Sequence, residues 1–266
     1  AGSNTANADA PYQGTNASGH TYVGWSWKAG GSASSNSDGS ITSSVSANTD
    51  AGFSIVSYTG TGSAGATVGH GLGVVPELLI IRRRDPAEAW AVWVGGGGFS
   101  NTQYLRLNAT NAVDTATTLF NSTTPTSSVV TLGSGDFVNT NTKNYIMYAF
   151  ASVLGYSAVG KYVGNNNADG PFSFTGFRPA FLLLKRSDSA ASWLIYDNKR
   201  DTYNQMQYPL FADLTNVEYT SNLLHVDFLS NGFKIRNATY GETNVSGGSY
   251  IYLAFAEAPF KYANAR

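Results

Sequence analysis

The sequence of 266 residues contains no cysteine, and only 12% of its residues are charged. The absence of cysteine excludes a disulfide framework, a thiolate metal site and a cysteine nucleophile. The formal net charge is -1, so we do not expect the basic face with which proteins bind nucleic-acid phosphates. The same lack of positive charge argues against docking on an anionic membrane. We therefore expect no nucleic acid and no membrane among the partners.

Residues that carry catalytic or cofactor chemistry are also scarce. The three histidines, His20, His70 and His225, show no metal-ligand spacing. Residues 60–65 fit GxGxxG, but no helical pattern follows, so we interpret them as a loop between strands. No catalytic residue and no cofactor is predicted, and the chain is not expected to be an enzyme. Two stretches rich in Asn, Asp and Gly, 35–40 and 165–170, could offer oxygen ligands to calcium, but each contains few acids.

The residues that are abundant favour strands and tight turns. Aromatic residues make up 13% of the chain, and it contains 29 glycines. Tyr, Phe, Val and Thr fit pleated strands, whereas Gly, Asn and Ser suit turns. The composition therefore predicts an all-β protein.

An internal repeat is the strongest signal in the sequence. Residues 74–93 and 177–196 align without a gap, and three identical pairs coincide: Pro76 with Pro179, Asp85 with Asp188, and Trp90 with Trp193. The match continues on both sides of these segments. Upstream, residues 52–60 resemble residues 155–164, and downstream, residues 145–151 resemble residues 250–256. Self-similarity of this kind predicts one supersecondary plan used twice.

We predict two tandem, internally duplicated antiparallel β-sandwich modules of jelly-roll or lectin-like type. Residues 52–154 form copy 1, and residues 155–266 form copy 2 with a C-terminal tail. Residues 1–51 form an N-terminal arm. Its segment TYVGWSWK (21–28) resembles the closing strand of each copy, and we interpret it as the last strand of a truncated preceding copy or as a strand that completes copy 1. The Ser/Gly/Asn-rich remainder of the arm is a linker or, over SITSSVSAN (40–48), an edge strand. Whether the copies form separate sandwiches or one composite sandwich stays open.

Within copy 2, seven segments have the pattern of strands: SAVGKYVG, FSFTGF, PAFLLLKR, SWLIYD, LHVDFLS, GFKIRN and SYIYLAFA. The apolar runs LLII (78–81) and LLL (182–184) predict central strands that are buried on both faces. A short helix or a long loop is expected near residues 202–219.

The motifs GFRPAFLLLKR, SWLIYD, FLSNGFKIR and YIYLAFAEAPF resemble the repeated β-module of tail-fibre and other virion surface proteins of marine tailed bacteriophages. The resemblance covers roughly residues 20–266. It implies a β-sandwich, a location on the virion surface after synthesis in the host bacterial cytoplasm, and oligomerisation. It supplies no catalytic residues.

Residues that recur in both copies are expected to be scaffold. Asp85 and Asp188 should cap turns or pair with an arginine, and Trp90 and Trp193 should be buried. Recognition should lie where the copies differ: 62–71 against 165–173, 95–103 against 197–205, and the segment before residue 52.

Carbohydrate recognition combines aromatic faces with polar groups. On that ground the candidate ligand-binding residues, which could equally belong to ordinary turns, are Asn165, Asn166, Asn167, Asp169, Asp197, Arg200, Asp201, Tyr203 and Trp93.

Three functional hypotheses follow. The first is a tail-fibre or receptor-binding module that attaches to host-surface glycans or proteins. The second is a purely structural virion or filament component, such as a capsid decoration or a fibre segment. The third is a polysaccharide-degrading enzyme on a lectin-like sandwich, with Asp197 and Asp201 as its acids. The expected partners are other copies of the chain in a homo-oligomer, of which a trimer is one option, and other virion proteins.

Overall fold

The computed structural model describes residues 18–85, 88–220, 223–238 and 240–256, and nearly all of its regular structure is strand. The strands are β1 (Ser34–Asn36), β2 (Ser43–Asn48), β3 (Phe53–Thr59), β4 (Thr67–Gly69), β5 (Leu78–Arg83), β6 (Ala91–Val94), β7 (Gln103–Arg106), β8 (Asp114–Thr115), β9 (Val129–Thr131), β10 (Asn144–Phe150), β11 (Ser157–Val163), β12 (Phe172–Phe174), β13 (Pro179–Arg186), β14 (Trp193–Asp197), β15 (Leu210–Phe211), β16 (Val226–Leu229), β17 (Gly232–Ile235) and β18 (Ser249–Ala256). One short helix, α1 (Thr117–Phe120), interrupts them.

The strands form four sheets. The largest has the order β1-β2-β3-β10-β5-β6-β7-β8, and the next has the order β11-β18-β13-β14-β15. Two smaller sheets are β12-β17-β16 and β4-β9. All pairs of named strands are antiparallel. The predicted all-β antiparallel sandwich architecture is therefore confirmed.

One strand order occurs in both parts of the chain, which we call the first half (34–150) and the second half (157–256). The order β3-β10-β5-β6-β7 corresponds to β11-β18-β13-β14-β15, and the pair β4-β9 corresponds to β12-β17. The registers also match, because Tyr58 pairs with Tyr145 as Tyr162 pairs with Tyr250. Both tyrosine pairs stack, with ring centroids 5.2 and 4.8 Å apart. This correspondence favours the predicted duplication, whose module boundaries stay a prediction.

Three apolar clusters fill the spaces between the sheets. One lies within each half, and the third joins the two main sheets through residues such as Leu78, Phe150, Leu183 and Phe255. Successive strand residues point to opposite faces, so a main-sheet strand needs apolar residues at every position. Leu78–Ile81 and Leu182–Leu184 are accordingly buried throughout, which confirms their predicted burial on both faces. The two halves are thus sandwiches that also pack on each other.

A buried asparagine ties down the loop that follows β3 and, in the second half, the loop that follows β11. The side-chain oxygen of Asn139 accepts a hydrogen bond from the Thr61 amide at 2.8 Å. Asn244 accepts one from the Asn165 amide at 2.9 Å in the same way. Both asparagines are fully buried, and a buried amide of this kind is costly to leave unpaired. These loops therefore have fixed starting points.

The N-terminal arm differs from its prediction in two respects. Residues 34–48 are not a free linker, because β1 and β2 extend the first main sheet beside β3. SITSSVSAN contains a strand, β2, but β2 is not at the edge of the sheet, because β1 pairs on its other side. TYVGWSWK belongs to no named strand. Trp25 and Trp27 instead pack edge-on against Phe181 of the second half, with ring centroids 5.7 and 5.3 Å apart. The alternating tryptophans of this segment thus serve packing across the two halves rather than strand pairing.

All seven strands predicted in copy 2 are present as β11, β12, β13, β14, β16, β17 and β18. Pro179 begins β13, where its missing N–H interrupts no continuous ladder. Residues 202–219 are a long loop that contains only the short strand β15. No helix among the described residues has the length and apolarity needed to cross a membrane.

Candidate binding site

The two loops predicted to bind ligand lie at opposite ends of the second main sheet. Residues 165–169 follow β11, whose last residue Val163 pairs with Ser249. Asp197 pairs with Phe181, which in turn pairs with Phe255 near the other end of β18. The strands between them rise about 3.3 Å per residue, so roughly 20 Å separates the loops. The structure therefore does not join them into one site.

Asp197 and Arg200 belong to a turn that is stabilised by hydrogen bonds among its own residues. The Asp197 carboxylate accepts the amides of Lys199 and Arg200 at 3.0 Å each and the Arg200 Nε–H at 2.6 Å. Trp25 donates its indole N–H to the same carboxylate at 3.3 Å. Burial raises the pKa of Asp197, but the bonds from Arg200 and Lys199 outweigh burial and hold that pKa below its ordinary value. A carboxylate whose pKa is lowered and that accepts hydrogen bonds from four donors fits a structural role.

The next two predicted residues lie on the same loop. Asp201 accepts the Gln207 amide at 2.5 Å, so its carboxylate also holds backbone. Tyr203 is 82% exposed at the loop surface. Tyr203 alone of this group presents an aromatic face to solvent.

The prediction that Trp93 is a ligand-binding residue is wrong. Its side chain is only 3% exposed in the core of the first half. Its indole N–H donates to the Ser100 carbonyl at 3.0 Å, and its ring packs near Phe120. Because side chains alternate between the two faces of a strand, Trp93 lies on the face of β6 that is directed toward β4 and β9. This face is buried. The ring is therefore not available to a sugar.

The recurring acids behave as scaffold, as expected. Arg186 binds Asp188 through two bonds of 2.9 and 3.1 Å, and Asp188 also accepts the Ser249 amide at 3.0 Å. Arg83 lies 3.8 Å from the Asp85 carboxylate. Both acids thus pair with the arginine two residues before them.

The recurring tryptophans differ in burial. Trp193 is fully buried, whereas Trp90 is half-buried under the Arg82 guanidinium, 4.6 Å from its ring centroid. The prediction of a buried tryptophan is confirmed in full only for Trp193.

The loop 165–169 ends beside a network of balanced charge. Asp169 contacts Lys234 at 2.5 Å and Arg236 at 3.6 Å, and Arg236 also pairs with Asp227 at 3.0 Å. A hydrogen bond from Lys234 and its charge lower the pKa of Asp169. Two cations and two anions therefore share this surface.

Within the loop, Asn165 and Asn167 accept backbone amides two residues ahead of them, at 3.0 and 2.9 Å. Asn166 has a positive φ of 55°, a conformation that asparagine tolerates better than most residues. The loop is thus a sequence of asparagine-stabilised turns that delivers the chain to β12.

Two exposed phenylalanines adjoin this network. Phe172 and Phe174 on β12 are 45% and 66% exposed, whereas Ser173 between them is buried. Phe172 pairs with Lys234, and Phe174 pairs with Gly232, where the Phe172 ring lies 3.0 Å from the position that a Cβ would take. We call this surface the aromatic platform; it comprises Phe172, Phe174, Asp169, Asp227, Lys234 and Arg236.

Asp169 is the one platform residue that was predicted individually from the sequence to bind ligand. The usable signal was the difference between the copies, since 165–173 is one of the divergent segments. Adjacent aromatic rings beside hydrogen-bond donors and acceptors can bind an amphipathic ligand.

The stretches considered for calcium direct their side chains at themselves or at cations. Asn36 donates to Asp38 at 2.8 Å, and Asp169 is held by Lys234. Among the described residues, no three His, Asp or Glu side chains converge as metal ligands would.

The chain belongs to the family DUF7483, a domain of unknown function, whose family model matches residues 2–259. No curated protein and no solved structure matches the chain.

Proposed function

We propose that this member of a family of unknown function is a bacteriophage virion surface protein, a tail-fibre or receptor-binding module that attaches the particle to host-surface glycans or proteins. The proposal starts from the resemblance of the repeat motifs to virion β-modules. The single observation that carries it is the aromatic platform, because the other predicted site residues except Tyr203 are bonded into turns or buried.

The chemistry of the platform suits binding without catalysis. Phe172 and Phe174 offer apolar faces, and Lys234 and Asp227 offer a donor and an acceptor beside them. The charges of the network cancel, so a ligand need not be strongly charged. A glycosidase acid needs a raised pKa, whereas the pKa of Asp197 is lowered. This difference supports a binding role over the enzymatic one.

The test uses the intact protein on host cells and on a glycan array. The double variant Phe172→Ala/Phe174→Ala should lose binding by at least about tenfold, because each ring contributes on the order of 1 kcal/mol or more. Val217→Ser is the matched control, since Val217 is 87% exposed but lies on the loop after β15. Equal binding by the double variant and the control would refute the platform as the attachment site.

A purely structural virion component is the second candidate. The observation that favours it is the set of sheet edges formed by β8, β12 and β15, which pair on one side only within the described part of the chain. Edges of this kind suit packing between subunits. Labelling the protein in intact particles separates the candidates, because a location at a fibre tip favours attachment and a location in a shaft or capsid favours structure.

A further inference from the structure

The outer edge of β12 exposes main-chain groups as well as phenylalanine rings. The Pro171 carbonyl accepts the Ile235 amide at 3.0 Å, and the Thr175 amide donates to Asn231 at 3.0 Å. Main-chain groups alternate in direction along an antiparallel strand, so those of Phe172 and Phe174 point away from β17. Within the described residues, no strand pairs with β12 on that side.

The same edge is occupied in the first half. Thr67 and Gly69 of β4 hold the positions of Phe172 and Phe174, because β4 pairs with β9 as β12 pairs with β17. The Thr67 carbonyl accepts the Ile41 amide at 2.9 Å, and its amide donates to the Ser40 hydroxyl at 2.9 Å. The Ser43 hydroxyl donates to the Gly69 carbonyl at 3.1 Å. An extended polypeptide thus satisfies the outward groups of β4.

The chain connections explain the difference between the halves. In the first half the covering segment, residues 36–43, precedes β3, and Ile41 forms a parallel bridge with Val68 of β4. In the second half only residues 151–156 precede β11, and they turn back on it through a bridge between Val153 and Ser157. This short turn does not supply a segment for β12.

The side chains at the two edges differ accordingly. In the first half the Asn36 side chain lies so close to Gly69 that a Cβ there would be 1.8 Å from its oxygen. A side chain at this position would therefore displace the Asn36 side chain of the covering segment. Phe174 stands at the equivalent position and is 66% exposed, so its ring is free to contact a segment that approaches from outside the chain.

We propose that β12 and the aromatic platform form an acceptor site for an extended segment of a partner polypeptide, which adds to the sheet as a strand beside Phe172–Phe174. This proposal rests on the proposed function in taking the platform as a binding surface, and it assigns the ligand as polypeptide rather than glycan. Residues 36–43 of the chain define the chemistry: backbone amides and serine hydroxyls for the outward groups of β12, with a β-branched residue at the position of Ile41. Strand addition of this kind draws affinity from main-chain bonds and specificity from alternate side chains.

The probe for the test is a fluorescent synthetic peptide of residues 36–48, titrated into the intact protein with anisotropy as the readout. We expect saturable binding that Phe174→Ala weakens and that Phe174→Pro weakens about tenfold further, because proline also removes the outward amide. Equal affinities of the alanine and proline variants would refute strand addition. Val217→Ser is again the control for an exposed apolar residue.

A modified peptide keeps the test valid if Phe174→Pro does not fold. N-methylation at Ile41 removes the amide that bonds Thr67 in the first half, so it should weaken binding of the peptide by about tenfold or more. N-methylation at Asn48, at the far end of β2, should leave the affinity unchanged. Equal affinities of the two methylated peptides would overturn the proposal.

The two proposals fail separately. Absence of peptide binding, with host attachment lost in Phe172→Ala/Phe174→Ala, would overturn the polypeptide assignment and leave the proposed function standing. Peptide binding that depends on β12, with host attachment unchanged in the double variant, would support strand acceptance and refute attachment through the platform.

Discussion

Lys185 should make the free energy of unfolding depend on pH. It lies in β13 with no exposed surface, and its ammonium donates to the carbonyls of Arg186 at 2.7 Å and Thr110 at 3.2 Å. Burial lowers the pKa of Lys185 to about 8, although the negative charge of Asp213 opposes the shift. The ordinary pKa of a lysine is 10.5, so the unfolded chain holds this proton more tightly than the folded chain.

The magnitude follows from that difference. Each pKa unit corresponds to about 1.36 kcal/mol, so keeping Lys185 protonated at pH 7 costs the folded state about 3 kcal/mol. Between the two pKa values the unfolded chain binds more protons, and stability therefore rises with pH. From pH 7 to pH 9.5 the free energy of unfolding should increase by about 2 kcal/mol on account of this group. Because tyrosines with the ordinary pKa of about 10 begin to ionise at the upper limit, the contribution of Lys185 is taken as the difference between the wild type and a variant that lacks this lysine.

The assay is urea unfolding of the wild type and of Lys185→Met across this pH range. The variant should lack the rise with pH. At pH 7 its free energy of unfolding should lie within about 1 kcal/mol of the wild-type value, because the lost charge penalty is offset by the loss of two hydrogen bonds from a charged group, worth about 1.5 kcal/mol or more each. The Thr110 carbonyl keeps a partner, since it also accepts the Ala191 amide. Lys161→Met, at an exposed position of β11, is the control and should keep the wild-type pH dependence. Parallel curves for the wild type and Lys185→Met would refute the reasoning.

Three further substitutions test other parts of the structure. Ser173→Val should raise the free energy of unfolding by about 1 kcal/mol in thermal melts, because the buried Ser173 hydroxyl has no partner and the equivalent Val68 is fully buried; a lower melting temperature would contradict this. Asp197→Asn should lower stability at pH 7 by about 2 kcal/mol or more. In the wild type, the lowered folded pKa of Asp197 contributes stability that is present above the unfolded pKa of about 3.9 and is lost as the pH falls through the folded pKa. The variant should therefore lose less stability on acidification than the wild type does. Identical dependence of stability on acid pH in both proteins would exclude that role. Asn244→Ala should cost about 2–4 kcal/mol, because it removes bonds to the Asn165 amide and to buried carbonyls; a cost below about 0.5 kcal/mol in urea unfolding would show that water replaces them.

Much of the fold was accessible from sequence because the strands carry strong local signals. The seven predicted strands of the second half are all present, and the continuous apolar runs at Leu78–Ile81 and Leu182–Leu184 identified the central strands. A strand buried on both faces needs apolar residues at every position. A continuous apolar run therefore indicates a central strand. Asp188 was likewise identifiable as a turn residue, because it follows its arginine by two positions at the end of a strand.

The candidate site was less accessible, since exposure is not a property of a short segment. Trp93 and Trp25 have similar local composition, yet Trp93 is buried under β4 and β9 while Trp25 lies on the second half. Phe172 and Phe174 alternate with polar residues as core residues of a half-buried strand would. Ser173 is the inward residue instead, so the pattern in isolation favours the wrong face.

The sequence by itself determined the class of the protein: all-β, free of disulfides, with one strand plan present twice. Its periodicities and turn residues are local, and local physical chemistry is sufficient to place strands and turns. Only the tertiary structure decided that the main sheets of the two halves pack on each other, and that residues 36–43 cover β4. It also decided that, among the described residues, no strand pairs with the corresponding edge of β12 beside two phenylalanines. The physical reason is that burial depends on which distant segment reaches a surface, and here the different lengths of the connections before β3 and β11 settle it.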